Sequence, residues 1–460
     1  MSEQGITLQD ILAANDRRQL RQQTMREKYG TALASITLNI PGPVKDGPRL
    51  RQLLNYAIGR LRAGLKILAE DRIYPATGPE ALLAVEDDAE AVKQIALATE
   101  ENHSFGRLLD IDVFTAAGEL LSRRRTGQGR TCLLCGEPAV NCMRGRRHSS
   151  VELQQAVGKL LAEFQAYQSR EVSLTAEKIG GLAVEAMLYE AASTPAPGLV
   201  DRVNSGAHRD MDFYSFMASS AALSFTMART AQAGFSHNGL PLPALLPVLR
   251  LIGREGEAAM LAATGGVNTQ KGLLFSLGII TAAAGWLRGG GLQCTAASVL
   301  AAAAEIVSGI VERELGSVAA KEESQLTAGE RLYRDYGVTG IRGELAAGLP
   351  AVGDQALPAL RKALTAGFTI NDALIHTLLV LMTCVEDTTV MNRHDPATMR
   401  QWVREKAQAV LDAGGMGTVK GREKAAALDD EFIARNVSPG GTADLLAVTW
   451  FLHRLEEVKE

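Results

Sequence analysis

The first 170 residues alternate between short apolar–polar repeats and longer segments with helical spacing. Residues 33–40 (LASITLNI) place Ser35, Thr37 and Asn39 between apolar residues, and this period of two predicts a strand. A second strand is predicted over 81–86. Segments with helical spacing predict helices over 7–29, 49–70, 88–100 and 150–168. The pattern indicates mixed α/β structure.

A third strand-like run, GRLLDIDVF at 106–114, carries two acidic residues within an apolar sequence. Because successive side chains of a strand point to opposite faces, Asp110 and Asp112 share one face. The apolar residues beside them take the other face, toward the core. Adjacent carboxylates repel each other unless a cation or a proton lies between them, and Mg²⁺ takes such oxygen ligands. The residues alone leave two interpretations open, a metal site or a solvated strand face with two surface acids.

From about residue 170 onward, long segments rich in alanine and leucine have helical spacing or are uniformly apolar. They predict helices over 174–192, 210–234, 243–263, 270–288, 294–315, 355–366, 369–384, 397–413 and 442–457. We predict no strand in this half. The sequence therefore predicts two domains, an N-terminal α/β domain at 1–169 with a small mixed sheet and helices, and a C-terminal all-α domain at 170–460.

Composition places the chain among globular proteins, since 46% of its 460 residues are hydrophobic and 22% are charged. The N-terminal segment is polar and lacks the apolar core of a secretory signal. The longest apolar run, 272–287, is short for a membrane span, which favours a buried core helix. Five cysteines without a signal segment fit a reducing compartment. We therefore expect a cytoplasmic protein with no membrane partner.

Positive charge is concentrated in residues 123–147, which hold seven arginines and one acid, Glu137. Such a cluster binds polyphosphate or an acidic protein surface, and the alternative is a solvated basic face. A nucleotide- or RNA-binding role would require aromatic stacking platforms among the arginines. The segment contains no aromatic residue, so we expect no nucleic-acid partner.

Three of the five cysteines, Cys132, Cys135 and Cys142, lie in the same segment, and His148 follows them. A C-x₂-C pair is a common half of a zinc site, and Cys142 with His148 would complete four ligands. The wide spacing of this second pair departs from a standard knuckle, and free cysteines are often small buried packing residues. The sequence leaves two interpretations open: these four residues bind a structural Zn²⁺, or the cysteines are buried packing residues.

Four polar, glycine-containing stretches interrupt the apolar helices of the second half. They are STPAPGLVDRVNSGAHRDMDF (193–213), TGGVNTQKGLLF (264–275), VEDTTVMNRHD (385–395) and SPGGTADLL (438–446). In the second stretch, glycines with Asn268 and Lys271 open a helix in a way that suits phosphate, although P-loop spacing is absent. Asp444 in the fourth stretch has a structural alternative, the stabilisation of a helix N-terminus. A helical bundle supplies a site at one end through such loops.

These motifs resemble two enzyme families. The N-terminal half resembles the apo-citrate lyase phosphoribosyl-dephospho-CoA transferases, also called holo-citrate lyase acyl-carrier-protein synthases, in SITLNIPGPVKDGP (35–48), HSFGRLLDIDV (103–113) and RTCLLCGEPAVNCMRGRRH (130–148). The C-terminal half resembles the triphosphoribosyl-dephospho-CoA synthases in PAPGLVDRVNSGAHRDMD (195–212), GVNTQKG (266–272), the acids at 386–387, and 438–444. The chain therefore resembles a fusion of two consecutive enzymes.

The resemblance implies two reactions. The C-terminal half would join ATP to 3′-dephospho-CoA, whose ribose 2′-hydroxyl displaces adenine from the anomeric carbon of ATP. The N-terminal half would transfer the phosphoribosyl-dephospho-CoA unit to a serine of the citrate lyase acyl-carrier (gamma) subunit and release pyrophosphate. The resemblance also implies a nucleotidyltransferase-like N-terminal fold that uses Mg²⁺.

The resemblance assigns residues to these reactions. In the N-terminal half, Asp110 and Asp112 would hold Mg²⁺, while Arg107, expected on the same strand face, and Lys45 would bind phosphate. Adenine displacement in the C-terminal half passes through an oxocarbenium-like state and needs a carboxylate to accept a proton. The catalytic candidates there are Asp210, Asp212 and Asp387, and the substrate- and phosphate-binding candidates are Arg209, Asn268, Lys271, Arg393 and Asp444.

Two alternatives accompany this interpretation. The cofactor synthase of malonate decarboxylase makes the same triphosphoribosyl product, but the NIPGPVK and cysteine motifs favour citrate lyase. The second alternative is a zinc-stabilised nucleotide-binding protein without catalysis, built on the arginine cluster. The lack of aromatic residues in that cluster counts against it.

Overall fold

The computed structural model of the chain describes residues 6–121, 130–237, 241–316, 318 and 321–458. The chain forms two compact units. Unit 1 comprises Met1–Glu171 with Gly290–Leu292, and unit 2 comprises Val172–Gly289 with Gln293–Glu460.

Unit 1 is built on a four-stranded antiparallel sheet. Helix α1 (Leu8–Tyr29) precedes the strands β1 (Ala32–Leu38), β2 (Ile67–Ile73), β3 (Glu80–Val85) and β4 (Leu109–Phe114). Helix α2 (Pro48–Gly64) connects β1 to β2, and helix α3 (Ala89–Glu101) connects β3 to β4. The strand order is β2-β3-β1-β4, so each helical connection passes one intervening strand. This βαββαβ sequence is the split βαβ arrangement.

The pairing of β1 with β4 fixes the position of the two aspartates. Ser35 is opposite Asp112 and Thr37 is opposite Asp110, which places four polar side chains on one face of the sheet. The alternate residues of β4 are buried in the core with α2 and α3. The alternation predicted for GRLLDIDVF is therefore confirmed.

Helix α1 packs on the apolar residues of the same sheet face that carries the two aspartates. Met25 packs against Leu33 and Leu82 of the neighbouring strands. Glu80 of β3 is only 4% exposed, and its Oε2 accepts a 2.6 Å hydrogen bond from Nε of Arg18. Because a buried carboxylate needs a partner, this ion pair holds α1 on the sheet.

Three predictions for this region are wrong. The sheet is antiparallel rather than mixed, because the strands that run in the same direction, β1 with β2 and β3 with β4, are never neighbours. The helix predicted over 49–70 ends at Gly64, and the edge strand β2 follows it. The sequence of β2 lacks a clear alternation of apolar and polar residues, so the strand was not predicted. The helices predicted over 150–168 and 174–192 form one helix, Ser150–Ala192. The nucleotidyltransferase-like fold stays a prediction.

The remaining helix bounds complete the description of both units. They are α4 (Ala139–Arg144), α5 (Ser150–Ala192), α6 (Phe213–Phe235), α7 (Leu246–Ala263), α8 (Lys271–Gly289), α9 (Ala296–Ile306), α10 (Ile310–Leu315), α11 (Ala328–Tyr336), α12 (Gly340–Ala346), α13 (Leu357–Thr365), α14 (Ile370–Cys384), α15 (Thr388–Arg393), α16 (Arg404–Asp412), α17 (Val419–Ala434) and α18 (Gly440–Glu457). The described residues of unit 2 contain no strand, which confirms the all-α prediction. The sequence predicts no helix for α4, α11, α12, α15 or α17, and the one helix predicted over 294–315 is divided into α9 and α10.

Helix α8 is the central helix of unit 2. Within the described part of the chain, it is the one helix with the length and apolarity of a membrane span, but 72% of that apolar window is buried. It packs against α6, α7, α9 and α18. The buried core helix predicted for this segment is confirmed.

Small residues allow α6 and α8 to pack closely. A methyl group added to Gly234 would collide with the backbone of α8, and one added to Gly285 would collide with the backbone of α6. Next to these two contacts, the hydroxyl groups of Thr230 and Thr281 form a 2.7 Å hydrogen bond. The interface therefore depends on the absence of side chains at both glycines.

We predict that Gly285→Ala lowers the free energy of unfolding of unit 2 by about 1–3 kcal/mol, because the added methyl group overpacks the interface. The control is Gly181→Ala in α5, where a methyl group meets no atom within 4 Å. This change should raise stability by roughly 0.5–1 kcal/mol through the better helix propensity of alanine. Denaturant unfolding followed by circular dichroism measures both, and a Gly285→Ala protein as stable as the control would contradict the close packing.

Candidate active sites

The helices and loops of unit 2 enclose a cavity of about 370 Å³. All four polar stretches identified in the sequence contribute to its lining, and the end of α5 adds Glu190. The cavity brings together five of the residues predicted for this half, namely Asp210, Asn268, Lys271, Arg393 and Asp444. The loops of this helical unit therefore supply one common site.

Two acidic side chains of this lining have strongly raised pKa values. Burial raises the pKa of Glu190 to about 8, and it raises the pKa of Asp444 well above its usual range. The charge of Glu190, followed by that of Asp387, raises the pKa of Asp444 further. Within the described part of the chain, no group donates a hydrogen bond to the carboxyl group of Glu190 or Asp444. Unpaired acids with raised pKa values in a cavity are candidates for proton transfer.

The beginning of α8 lies against Asp444. A methyl group on Gly272 would collide with Oδ2 of Asp444 in its present position, so glycine allows this close approach. Oδ1 of Asn268 accepts a 3.2 Å hydrogen bond from the backbone N–H of Lys271, which is a capping interaction. The ammonium group of Lys271 lies 2.5 Å from Oε1 of Glu257. Asn268 thus positions the helix, and Lys271 brings a cation to the cavity.

His208 connects two of the loops. Its Nε2 lies 2.8 Å from Oγ of Ser438, and its Nδ1 lies 3.3 Å from Nη2 of Arg393. Arg393 also donates a 3.2 Å hydrogen bond to the carbonyl oxygen of Ala207. Burial, followed by the charge of Arg393, lowers the pKa of His208, which favours a neutral ring beside the arginine. Asp210 is exposed, and its Oδ1 lies 3.9 Å from Nδ1 of His208.

Three residues predicted for this site do not line the cavity. Asp212 is the N-cap of α6 and accepts a 2.8 Å hydrogen bond from the N–H of Ser215. Asp387 caps α15 and accepts hydrogen bonds of 2.7 and 2.8 Å from the N–H and hydroxyl of Thr442. Arg209 is exposed. These contacts give Asp212 and Asp387 structural roles, and a catalytic role for either one stays a prediction.

The first polar loop is organised by Asp201, which is 1% exposed. Its carboxylate accepts hydrogen bonds from the N–H groups of Ala196, Val203 and Asn204, at 3.2, 2.7 and 3.0 Å. The hydroxyl of Thr194 donates a further hydrogen bond at 2.5 Å. This carboxylate therefore holds the loop that carries His208 and Asp210 to the cavity.

In unit 1, the two aspartates of β4 are accessible to solvent. Nη2 of Arg130 donates hydrogen bonds to Oδ1 of Asp110 at 2.6 Å and to Oε1 of the buried Glu100 at 2.9 Å. Although Asp112 reaches solvent, the surrounding protein displaces water and raises its pKa. The charge of Asp110 raises it further, whereas Lys93 and Arg130 oppose the shift. The two carboxylates repel each other, as the sequence predicted.

Arg130 and Glu100 also line a cavity of about 710 Å³. Arg107 lines it too, but from a 3₁₀ turn at Ser104–Leu108, so its predicted position on the strand is wrong. The turn connects the end of α3 to the start of β4. The guanidinium group of Arg107 donates a 3.2 Å hydrogen bond to Oγ1 of Thr131, which ties it to the cysteine segment.

The other predicted cationic residues of unit 1 are dispersed. Lys45 donates a hydrogen bond to the carbonyl oxygen of Ile40 in its own loop, and burial lowers its pKa. Of the arginine cluster, Arg146 lines the 710 Å³ cavity, and Arg144 and Arg147 are exposed. Residues 123–125 lie outside the described residues.

The four predicted zinc ligands come together. The sulfur atoms of Cys132, Cys135 and Cys142 and a ring nitrogen of His148 all lie within 4.8 Å of one another. Sγ of Cys135 lies 3.3 Å from both Sγ of Cys142 and Nε2 of His148. Cys135 is exposed, so packing does not account for its position. Three sulfurs and one nitrogen form a donor set suited to a structural metal ion.

Sequence reasoning missed Glu190, Glu100 and Arg130 as individual site residues. Glu190 belongs to a regular helical segment, and its one signal is its place just before the polar stretch 193–213. Glu100 and Arg130 meet Asp110 only through the fold, since each is distant from it along the chain. No local pattern predicts such a contact.

Two protein families match separate parts of the chain. Residues 176–460 match the ATP:dephospho-CoA triphosphoribosyl transferase family. Residues 6–164 match the apo-citrate lyase phosphoribosyl-dephospho-CoA transferase family. The two matches are adjacent and follow the order expected from the sequence motifs.

Similar proteins show the same combination or its C-terminal part. Protein CitXG of Leuconostoc mesenteroides subsp. cremoris is 34% identical over 98% of this chain and 97% of its own length. The probable 2-(5″-triphosphoribosyl)-3′-dephosphocoenzyme-A synthase of Vibrio cholerae serotype O1 (strain M66-2) is 43% identical over 61% of this chain and 88% of its own length. The corresponding synthase of Pectobacterium atrosepticum is 43% identical over 58% of this chain and 86% of its own length. The chain therefore belongs to both families and is a bifunctional transferase that makes and attaches the prosthetic group of citrate lyase.

Proposed function

We propose that the cavity of unit 2 is where the ribose 2′-hydroxyl of 3′-dephospho-CoA attacks the anomeric carbon of ATP. A C–O bond forms as the C–N bond to adenine breaks, and the triphosphate stays on the transferred ribose. The hydroxyl must lose a proton, and the departing adenine must gain one. The observation that carries this proposal is the meeting of Glu190 and Asp444 with three cationic or imidazole side chains in one cavity, Lys271, His208 and Arg393.

Glu190 and Asp444 are suited to the two proton transfers. Their raised pKa values and mutual repulsion favour a state in which one carboxyl group is ionised and the other protonated. The ionised group accepts the hydroxyl proton, and the protonated group supplies a proton to adenine. Asp210, at the exposed side of the same cavity, is a further candidate base.

The cations of the cavity are suited to the retained triphosphate. Lys271 lies at the first turn of α8, where free backbone N–H groups also favour anions. Arg393 is held by the carbonyl oxygen of Ala207, and its guanidinium group faces His208. These groups offset negative charge without taking part in bond breaking.

We predict that Asp444→Asn and Glu190→Gln each lower adenine release by a factor of about 10² or more, because each removes a proton-transfer group. Adenine is measured chromatographically after incubation with ATP, 3′-dephospho-CoA and Mg²⁺. The control is Asp354→Asn, which removes an exposed charge from the same unit and should leave the rate unchanged.

The wild-type protein should release adenine only when dephospho-CoA is present. Carrier loading from added triphosphoribosyl-dephospho-CoA should survive in both variants, since unit 1 is intact. Near-wild-type adenine release by either variant would remove that acid from the proposed site.

For unit 1, we propose that a serine hydroxyl of the citrate lyase acyl-carrier (gamma) subunit attacks the phosphorus next to the ribose. The new P–O bond replaces the bond to pyrophosphate, which leaves. Asp110 and Asp112 offer carboxylate oxygens on an accessible strand face, a donor set that fits Mg²⁺. Bound Mg²⁺ would neutralise triphosphate charge. Arg130, which already pairs with Asp110, and Arg107 bring positive charge to the adjoining cavity.

We predict that Asp110→Asn and Asp112→Asn each abolish transfer of labelled prosthetic group from triphosphoribosyl-dephospho-CoA to the apo-carrier protein. Each change keeps the side-chain size but removes a charge from the proposed metal site. Adenine release by unit 2 should continue in both variants. Asp112→Asn should not lower stability, because it relieves repulsion between the two carboxylates. Asp110→Asn also removes the ion-pair partner of Arg130, so it should lower stability by at most about 1 kcal/mol. The control is Asp88→Asn, which preserves the N-cap of α3. Normal transfer by both Asn variants over a Mg²⁺ titration would mean that these aspartates are ordinary surface acids.

We also propose that Cys132, Cys135, Cys142 and His148 bind one structural Zn²⁺, because their donor atoms are already clustered. Metal analysis of protein purified without chelators should give one zinc per chain, and Cys135→Ser should lower this ratio well below one. Cys384→Ser, which changes an exposed cysteine outside the cluster, should retain it. A ratio near zero in the wild-type protein, with unchanged stability after chelation, would contradict the site.

A further inference from the structure

A second chamber of unit 2 adjoins the cavity that contains Glu190 and Asp444. Its volume is about 320 Å³, and it lies between α7, α8 and α12. Lys271 and Gly272 line both spaces, so the two meet at the start of α8. The reactions proposed above leave this chamber without a role.

The walls of the chamber are largely apolar. Leucine and isoleucine side chains from all three helices form them, including Leu249, Leu274, Ile279 and Ile341. Gly253 of α7 adds open space, because a Cβ at this position would meet no atom within 4 Å. An elongated, uncharged group would fit such walls better than a charged one.

Cationic side chains accompany the apolar walls. Arg250, Arg254 and Arg342 line the chamber together with Lys271, whose ammonium group pairs with Glu257, the one carboxylate among the lining residues. Glu314 pairs with Arg250 and, at 2.6 Å, with Arg342, whereas no described carboxylate pairs with Arg254. Burial, followed by the charges of neighbouring arginines, lowers the pKa of Arg250. The chamber thus combines an apolar interior with an excess of positive charge, which suits an apolar chain attached to phosphate.

We propose that this chamber binds the pantetheine arm of 3′-dephospho-CoA, with the diphosphate that joins the arm to adenosine near Arg254. The inference rests on the proposed function of unit 2 and adds the subsite that distinguishes its two substrates. The arm is the one long, uncharged and weakly polar part of either substrate. The triphosphate of ATP would lose its hydration against apolar walls, which is unfavourable.

An arm held away from the reacting atoms contributes binding that is equal in the ground state and the transition state. Its loss raises KM for dephospho-CoA and leaves kcat and KM for ATP unchanged. A residue that acts in the chemistry would instead lower kcat. This difference separates the chamber from the cavity of Glu190 and Asp444.

The test fills the chamber in the full-length protein with Gly253→Leu and measures adenine release. The control is Gly181→Leu, at a second helical glycine where an added Cβ also meets no atom within 4 Å. In Gly253→Leu, KM for dephospho-CoA should rise about tenfold or more, with kcat and KM for ATP as in the control. Unchanged kinetics, or a rise in KM for ATP alone, would overturn the proposal.

Equilibrium binding separates this inference from the reaction itself. By calorimetry, the wild-type protein should bind dephospho-CoA about tenfold or more tightly than ADP, which lacks the arm, and Gly253→Leu should bind the two alike. Equal wild-type affinities would contradict the subsite. A wild-type protein that shows the arm-dependent preference but releases no adenine would contradict the proposed reaction and leave the subsite supported.

Discussion

A carboxyl group removed from water must either be saturated with hydrogen bonds or lose its charge, and unit 2 depends on this constraint. Asp201 and Asp387 are saturated, since each accepts hydrogen bonds from backbone N–H groups and from a threonine hydroxyl. They fix the loops around the cavity. Glu190 and Asp444 lack such partners among the described residues, and their pKa values rise. The structural acids thus hold the frame in which the reactive acids meet.

In unit 1, acidic side chains are compensated by a positively charged one instead of by neutral hydrogen-bond donors. Asp110 and Asp112 share a strand face, and Arg130 compensates Asp110 while it also pairs with the buried Glu100. Arg130 precedes Cys132 by two residues, so the proposed metal site would anchor the segment that supplies this arginine. The strand register brings the two aspartates together, Arg130 compensates the charge of Asp110, and the cysteine cluster holds the segment that contains Arg130. These three features are therefore connected.

The parts of the fold that could be predicted are those whose signal is local. The alternation in 33–40 and 106–114 predicts β1 and β4 because each strand has one core face. The edge strand β2 was missed, since polar residues occupy both of its faces. Helix α5 was divided in two because the composition changes near residue 170 without a break in the backbone.

For the candidate sites, too, only features with a local signal in the sequence could be predicted. Polar interruptions of apolar helices identified all four loops that line the cavity of unit 2. Asp387 and Asp444 both lie in polar, loop-like sequence. The hydrogen bonds that Asp387 accepts at the start of α15 and from Thr442 distinguish this capping acid from the unpaired Asp444. Glu190 lies within the regular helix α5, and no local pattern identifies it as a site residue. Its function depends on neighbours that are distant in the sequence.

The most direct measurement combines Asp444→Asn protein with Asp110→Asn protein and follows loading of the apo-carrier from ATP and 3′-dephospho-CoA. Each variant alone should load no carrier, because one lacks the synthase site and the other lacks the transferase site. The mixture should load it, since the Asp110→Asn protein makes an intermediate that the Asp444→Asn protein attaches. An inactive mixture, or loading by either variant alone, would contradict two separable active sites in one chain.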